Sequence, residues 1–206
     1  MLSFALQLLV NEQFHDLSQE FEARWRLVEI AWQLKNSRNL ILVSYEPETE
    51  LLFTRSNRRC NVESCRDALK GYQKGKCFYC FGDISIGLAA DNLVHVDRFF
   101  AHALGKYGIA QQIDGVWNLV LACQACNCGI NGKFDQLPTL RYLERLHTRN
   151  EFLIRSDNPL KETLIQQTGG TATARQRFLQ NNYNRAITEA GRLIQWQPTF
   201  EYPAMF

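Results

Sequence analysis

The sequence lacks three features that would fix its class at once: a strong net charge, a long apolar run and a repeated or low-complexity segment. Lys and Arg total 23 against 21 Asp and Glu, a formal charge of +2. Any basic surface for nucleic acid must therefore be a local patch. Apolar residues make up 46% and charged residues 21%, proportions that are ordinary for a globular protein and argue against a disordered chain.

No segment approaches the run of about eighteen apolar residues that a transmembrane helix needs. The opening MLSFALQLLV is apolar, but it has no basic region and its apolar run ends at Asn11. It therefore fits neither a membrane span nor a secretion signal. We expect a soluble, cytoplasmic protein that makes no use of a membrane.

Seven cysteines are present, an odd number without a secretion signal, which argues against a disulfide framework. Four of them form two C-x-x-C pairs, Cys77-Phe-Tyr-Cys80 and Cys123-Gln-Ala-Cys126. Four thiolates at about 2.3 Å make a closed tetrahedral zinc site that leaves no position open for catalysis. We therefore predict a structural Zn²⁺; the alternatives are a redox C-x-x-C or chance burial.

The segment between the two pairs, residues 81–122, becomes one tethered insertion once its ends are clamped together. Asp97 and Asn118 lie inside this insertion, and Asn127 follows the second pair. Zinc would thus act as a scaffold that assembles a site from polar residues. Cys128 is then a spare thiol, since four ligands already close the metal's shell.

Hydrophobic patterns predict an α+β protein. Apolar residues at +3/+4 spacing predict an amphipathic helix over 12–35, and two β-rich runs predict a hairpin over 39–53. LVHVDRFF and VWNLVLA are the expected strands of the central region. Pro138 suits a first helical position, and three helices are expected after it.

We divide the chain into three regions. Residues 1–70 form an N-terminal arm with a helix and a β-hairpin, residues 71–140 form the zinc-stabilised core, and residues 141–206 form a helical C-terminal extension.

The segment H-V-D-R-F-F … W-N-L-V-L-A-C-x-x-C-N … G-K-F-D resembles the zinc-containing branch of the HNH endonucleases, over roughly residues 74–140. Three elements carry the resemblance: Asp97 at the end of the first strand, Asn118 opening the second, and Asn127 after the second cysteine pair. The resemblance implies a ββα-metal fold, in which two strands and a helix surround one divalent ion. It also implies DNA cleavage, as in bacterial defence systems.

By this resemblance, Asp97 and Asn127 would hold a catalytic Mg²⁺ or Mn²⁺, and Asn118 would bridge backbone groups of the loop that aims the general base. Oxygen ligands suit a hard cation, which needs open positions for phosphate oxygens and water. Lys133 is expected to contact a phosphate, with a solvated loop lysine as the alternative. Gly129 and Gly132 should end or delay the helix before it.

One position departs from the family pattern. The family has a histidine general base directly after the metal-binding acid, and here that residue is Arg98. A guanidinium has a pKa above about 12 and no acceptor lone pair, so it cannot be a general base. Three outcomes stay open: His95, on the same strand face as Asp97, substitutes; His102 folds back as the base; or the protein binds without cutting.

A basic stretch leads into the first cysteine pair, and aromatic residues interleave with it. Such a strip can follow phosphates; the alternative is a solvated charged face. The candidate nucleic-acid contacts are Arg58, Arg59, Lys74 and Lys76, with Arg55, Arg66, Lys70, Tyr72, Phe78 and Tyr79 beside them. A second basic helix face, again either a DNA-facing ridge or plain surface, consists of Arg141, Arg145 and Arg149.

Three functions are consistent with these patterns. The first is an HNH-type, divalent-metal-dependent DNA endonuclease, with a larger defence or helicase/effector complex as a candidate partner. The second is a degenerate HNH protein that binds nucleic acid or a partner complex without cleaving. The third is a zinc-knuckle interaction module with no metal at Asp97.

Overall fold

The structure is a computed structural model that combines two antiparallel sheets with helices. Side chains before residue 61, other than that of Trp25, and the side chain of Lys106 are not described. The described residues are 25, 43–46, 51–54, 58–60, 69, 71–85, 94–108, 113, 115–156, 158–189, 191 and 195–206. Within these ranges no helix is long and apolar enough to cross a membrane.

The N-terminal region contributes a three-stranded antiparallel sheet in the order β1-β2-β3. Strand β1 (Val43–Glu46) pairs with β2 (Leu51–Thr54), so the predicted hairpin is confirmed. Strand β3 (Arg58–Cys60) continues the sheet beyond β2 and was not predicted. The helix predicted over 12–35 lies outside the described residues except for Trp25, which is helical.

The central hairpin pairs β4 (Val94–Arg98) with β5 (Leu119–Cys123) in antiparallel register, which confirms both predicted strands. Strand β5 begins later than its sequence pattern suggested, because Val116–Asn118 forms a turn of 3₁₀ helix. Another 3₁₀ helix, His102–Tyr107, lies in the connection between the strands. Helix α1 (Gln124–Cys128) follows β5 directly.

Three helices follow in the described part of the chain after residue 138: α2 (Leu140–Arg155), α3 (Lys161–Thr168) and α4 (Ala172–Thr188). The expectation that Pro138 would be a first helical position is wrong. Pro138 pairs with Trp196 in a parallel bridge, and the backbone N–H of Thr139 donates to the Trp196 carbonyl. The helix begins only after this bridge.

One hydrophobic core spans the predicted boundary at residue 140. Phe78 and Phe99 belong to the same buried cluster as Tyr142 and Leu146 of α2. Trp196 adds an edge contact to Tyr79, with ring centroids 5.1 Å apart. The segment that carries the four cysteines and the C-terminal helices are therefore packed together, and the α+β class is confirmed.

Two arginines of α2 face inward, which corrects their assignment to a basic ridge. The Arg145 guanidinium donates to the carbonyls of Phe78 and Tyr79 at 2.6 and 3.0 Å. Arg149 is 3% exposed, and its guanidinium donates to the Leu119 carbonyl at 2.8 Å. Burial lowers the pKa of Arg149 to about 10, so it is still charged at neutral pH. These side chains hold the first cysteine pair and the start of β5 against α2.

We expect Arg149→Met to lower the free energy of unfolding by about 2–3 kcal/mol, because a buried carbonyl left without its donor costs about 1–3 kcal/mol. Urea denaturation at pH 7 measures the change. The matched control is Arg177→Met on α4, where the arginine is exposed and the change should be within about 0.5 kcal/mol. Equal effects of the two substitutions would contradict the inward role of Arg149.

Candidate functional site

The two C-x-x-C pairs meet at the end of the β4–β5 hairpin. Their four Sγ atoms lie within 4.8 Å of one another, and the Cys80 and Cys123 sulfurs are 3.8 Å apart. A regular tetrahedron with zinc–sulfur bonds of about 2.3 Å has sulfur–sulfur edges of about 3.8 Å. The four cysteines therefore fit a metal ion such as zinc, as predicted, with no place left for a substrate.

The backbone around the cysteines supports the thiolate form, which is the form that binds metal. The N–H of Gly82 points at the Cys80 sulfur at 3.4 Å, and the N–H of Cys123 at the Cys77 sulfur at 3.3 Å. In the described part of the chain, this is the one cluster of three or more His, Cys, Asp or Glu ligands.

Asp97 lies one residue before the end of β4 and is 7% exposed. The Lys133 ammonium is 3.1 Å from each of its carboxylate oxygens. The Tyr79 hydroxyl donates to Oδ2 at 2.5 Å. The carboxylate is thus paired with the Lys133 ammonium and accepts a further hydrogen bond from Tyr79.

Lys133 is fully buried, which corrects its assignment as a phosphate contact. Its ammonium also donates to the carbonyls of Arg98 at 2.7 Å and Phe134 at 3.2 Å. An ammonium has three N–H donors. Asp97 and the two carbonyls therefore account for all of them, and none faces a surface-bound phosphate.

The glycine loop after α1 places Lys133 there. The helix ends at Cys128, as the glycines predicted, and the N–H of Gly132 donates to the Gly129 carbonyl at 2.8 Å. A Cβ on Gly129 would lie 2.7 Å from the Ala125 carbonyl oxygen, so only glycine fits. The chain then returns, and the N–H of Lys133 donates to the Cys126 carbonyl at 2.7 Å.

Tyr79 was expected beside a basic strip, but it is completely buried. Burial, followed by the negative charge of Asp97, raises the pKa of Tyr79 well above its usual range. The phenol therefore stays protonated and donates to the carboxylate. Its position inside the first C-x-x-C pair was the available signal, because a side chain between two clamped cysteines faces either the metal site or the core.

Asn118 is completely buried at the end of its 3₁₀ turn. Its Nδ2 donates to the carbonyls of Phe100 at 2.9 Å and Ile113 at 2.7 Å. Its Oδ1 accepts from the N–H of Phe100 at 2.8 Å. One side chain thus joins the start of β5 to both ends of the loop that follows β4.

His95 and Asn127 are brought together. Strand alternation puts His95 on the Asp97 face of β4, and its Nδ1 lies 3.2 Å from the Asn127 Nδ2. If the amide donates to Nδ1, the neutral ring carries its proton on Nε2 and has no lone pair left to act as a base. If the amide oxygen faces the ring, Nδ1–H donates and Nε2 becomes a free acceptor.

The residues present do not fit the divalent ion that the HNH resemblance implies. Asp97 already carries the Lys133 ammonium, and the amide nitrogen of Asn127 faces His95. A second cation beside Lys133 would meet direct charge repulsion. The expectation that Asp97 and Asn127 hold Mg²⁺ or Mn²⁺ is therefore not met by this arrangement.

Two further candidate catalytic residues, Arg98 and His102, follow Asp97 along the chain. Arg98 is half-buried at the end of β4, and strand alternation directs its side chain to the face opposite Asp97. His102 is exposed and begins the 3₁₀ helix in the loop.

The described part of the basic stretch is small. Lys76 pairs with Asp83 at 2.8 Å, and Lys74 is exposed at a positive φ of 50°. Arg58 and Arg59 lie in β3, but their side chains are outside the described part. Arg55, Arg66 and Lys70 lie outside it altogether.

One supporting residue was not predicted from the sequence, and another was misread. Gln73 exchanges hydrogen bonds with the backbone of Leu121, at 2.8 and 3.0 Å, and so attaches the approach to the first cysteine pair to β5. No pattern marked it. Arg149 was misread, although it falls on the apolar stripe of α2 with Leu146 and Leu153, which was the signal that it faces inward.

Comparisons with models of known protein families, with curated proteins and with solved structures find no match.

We expect Cys126→Ser to abolish stoichiometric metal binding, because a tetrahedral site that loses one of four thiolates loses most of its affinity. Elemental analysis should find one zinc per wild-type chain and less than about a tenth of that in the variant. Cys128→Ser is the matched control, since this exposed thiol lies outside the cluster and its loss should leave zinc unchanged. A zinc-free wild type would contradict the predicted clamp.

We expect Lys133→Met to lower the free energy of unfolding by about 3–5 kcal/mol, because it leaves a buried carboxylate without its partner. Adding Asp97→Asn should recover at least about 1 kcal/mol, since the neutral amide needs no counter-ion. Urea denaturation of zinc-loaded protein, without other divalent ions, measures the cycle. The matched cycle, Lys76→Met with Asp83→Asn at the exposed pair, should give less than about 1 kcal/mol of coupling.

Proposed function

We propose that this chain is a degenerate HNH protein: a zinc-stabilised nucleic-acid-binding protein that does not cleave by the HNH route. The proposal combines the four-cysteine cluster, the antiparallel strand pair and the bridging Asn118 with the motif resemblance. The observation that carries it is the Asp97 carboxylate, which the Lys133 ammonium and the Tyr79 hydroxyl already occupy. DNA is the expected ligand, and a larger defence or helicase/effector complex is the expected setting.

Chemistry supports the loss of cleavage at two separate points. Phosphodiester hydrolysis by a metal nuclease needs an ion to neutralise charge that develops on the phosphate, and Asp97 has no free charge to attract one. It also needs a group that takes a proton from water, which typically contributes about 10²–10⁴ in rate. Arg98 cannot do this. Because both the charge that would attract the metal and the proton acceptor are missing, we expect no cleavage by the HNH route rather than slow cleavage.

A second candidate is a divalent-metal-dependent DNA endonuclease that uses His95 as its base. The contact between His95 and Asn127 at 3.2 Å favours it, since an asparagine oxygen facing Nδ1 would orient the ring and leave Nε2 to accept a proton. This candidate also requires Lys133 to leave Asp97. The second candidate therefore requires two changes: the Asn127 amide must turn its oxygen toward His95, and Lys133 must move away from Asp97. The first proposal requires neither change.

Nicking of supercoiled plasmid with Mg²⁺ or Mn²⁺ separates the two candidates. If the missing base were the sole defect, Arg98→His should raise nicking by about 10²–10⁴. We expect neither the wild type nor Arg98→His to nick above background, because the carboxylate stays occupied in both. Metal-dependent nicking by the wild type that His95→Ala abolishes would instead establish the second candidate.

Binding is measured on the same proteins by fluorescence anisotropy with short DNA and RNA duplexes over a range of salt concentrations. The logarithm of the binding constant should fall linearly with the logarithm of the salt concentration, as it does when a protein contacts phosphates. Lys74→Glu should weaken binding and reduce the salt slope by about one or two. The matched control is Arg177→Glu, at an exposed position of α4. Absence of binding by the zinc-loaded wild type would reject the proposal.

A further inference from the structure

We propose that Asp97, the Arg98 carbonyl and the Phe134 carbonyl form a latent cation site, and that the Lys133 ammonium is its built-in occupant. This inference deepens the proposed function, because it names the group that stands where the resemblance expects a divalent ion. A metal then binds these oxygens only when Lys133 is removed.

The ligand set is that of a hard cation. One carboxylate and two backbone carbonyls surround the Lys133 nitrogen at 2.7–3.2 Å. Carboxylate and carbonyl oxygens are the groups that Ca²⁺, Mg²⁺ and Mn²⁺ select. The shell is therefore already organised around a positive charge, and the ammonium supplies that charge without a metal.

The other side chain that contacts Asp97 does not oppose a cation. The Tyr79 hydroxyl donates to the carboxylate and is neutral, so it does not repel a positive ion. The oxygens around the Lys133 ammonium come from two segments of the chain. Asp97 and Arg98 lie at the end of β4, and Phe134 follows the glycine loop. Hydrogen bonds from the N–H groups of Lys133 and Phe134 to the carbonyls of Cys126 and Asn127 fix that loop.

Displacing the ammonium is costly because Lys133 is fully buried. A divalent ion in solution would have to leave the lysine charged and without a partner inside the protein, or drive it out with its loop. The wild-type site should therefore stay closed to metal at millimolar concentrations. Removing the ammonium alone leaves four oxygens, two from the Asp97 carboxylate and two from backbone carbonyls, and one negative charge.

The test is Mn²⁺ binding to the zinc-loaded, nucleic-acid-free protein, followed by electron paramagnetic resonance of the free ion. Wild type should show no saturable site that depends on Asp97. Lys133→Met should gain one site, with affinity at least about tenfold tighter than any wild-type binding. Methionine reaches as far as the lysine Cε and leaves the nitrogen position vacant. Lys133→Gln, which keeps a polar group, is the second variant.

Two controls locate the site. Asp97→Asn added to Lys133→Met should remove the gained Mn²⁺ site, because the charge that attracts the ion is gone. Lys76→Met, which breaks the exposed pair with Asp83, should gain no comparable site.

Two results would overturn the inference. One is a wild-type Mn²⁺ site that Asp97→Asn abolishes, since Lys133 would then exclude nothing. The other is folded Lys133→Met and Lys133→Gln proteins that gain no site. The Mn²⁺ measurement on the wild type does not depend on the stability of the lysine variants, so it can reject the inference even if neither variant folds. Because no nucleic acid is present, failure here leaves the DNA-binding measurement standing, and failure of DNA binding leaves this result standing.

Discussion

The four-cysteine cluster is the constraint on which the rest of the structure depends. Cys77 and Cys80 are far from Cys123 and Cys126 along the chain, yet their sulfurs lie within 4.8 Å of one another. Closing that distance places Tyr79 of the first pair beside Asp97. It also anchors α1, from which the glycine loop returns Lys133 to the same carboxylate. The cysteine cluster and the buried ion pair are thus two results of one closure.

Buried cations recur in this fold, and each is satisfied mainly by oxygen atoms of the backbone or by one carboxylate. Lys133 uses Asp97 and two carbonyls, while Arg149 uses carbonyls at the start of β5. Arg175 forms a two-point contact with Glu151 at 2.5 and 2.8 Å. Burying a charge costs free energy unless every donor is paired. The pattern therefore indicates that these buried cations stabilise the core and are not available to bind an external anion.

The candidate site could be predicted where local sequence determines the geometry. Two C-x-x-C pairs predict a metal-binding cluster, because a tight turn sets the spacing of the two thiolates in each pair. The alternation of apolar and polar residues in LVHVDRFF predicts β4. That Asn118 would bridge backbone groups of the loop was an implication of the family resemblance, and its side chain donates to the carbonyls of Phe100 and Ile113. The positions of the basic side chains were harder to predict, because the sequence does not distinguish a solvated lysine or arginine from a buried one. Arg149 could have been found from the apolar stripe of α2, whereas Lys133 could not.

The sequence by itself determined the four clustered cysteines, the strand pair, the α+β class and the absence of a histidine at position 98. These depend on residue type and short spacing. Only the tertiary structure decided what Asp97 contacts, because its partners come from segments on either side of it that meet through the cysteine cluster and the turn at Gly129. Whether a carboxylate is open to a metal or closed by an ammonium depends on which groups reach it in three dimensions. In this chain it is closed by Lys133, because the glycine loop leaves the helix early and directs that side chain inward.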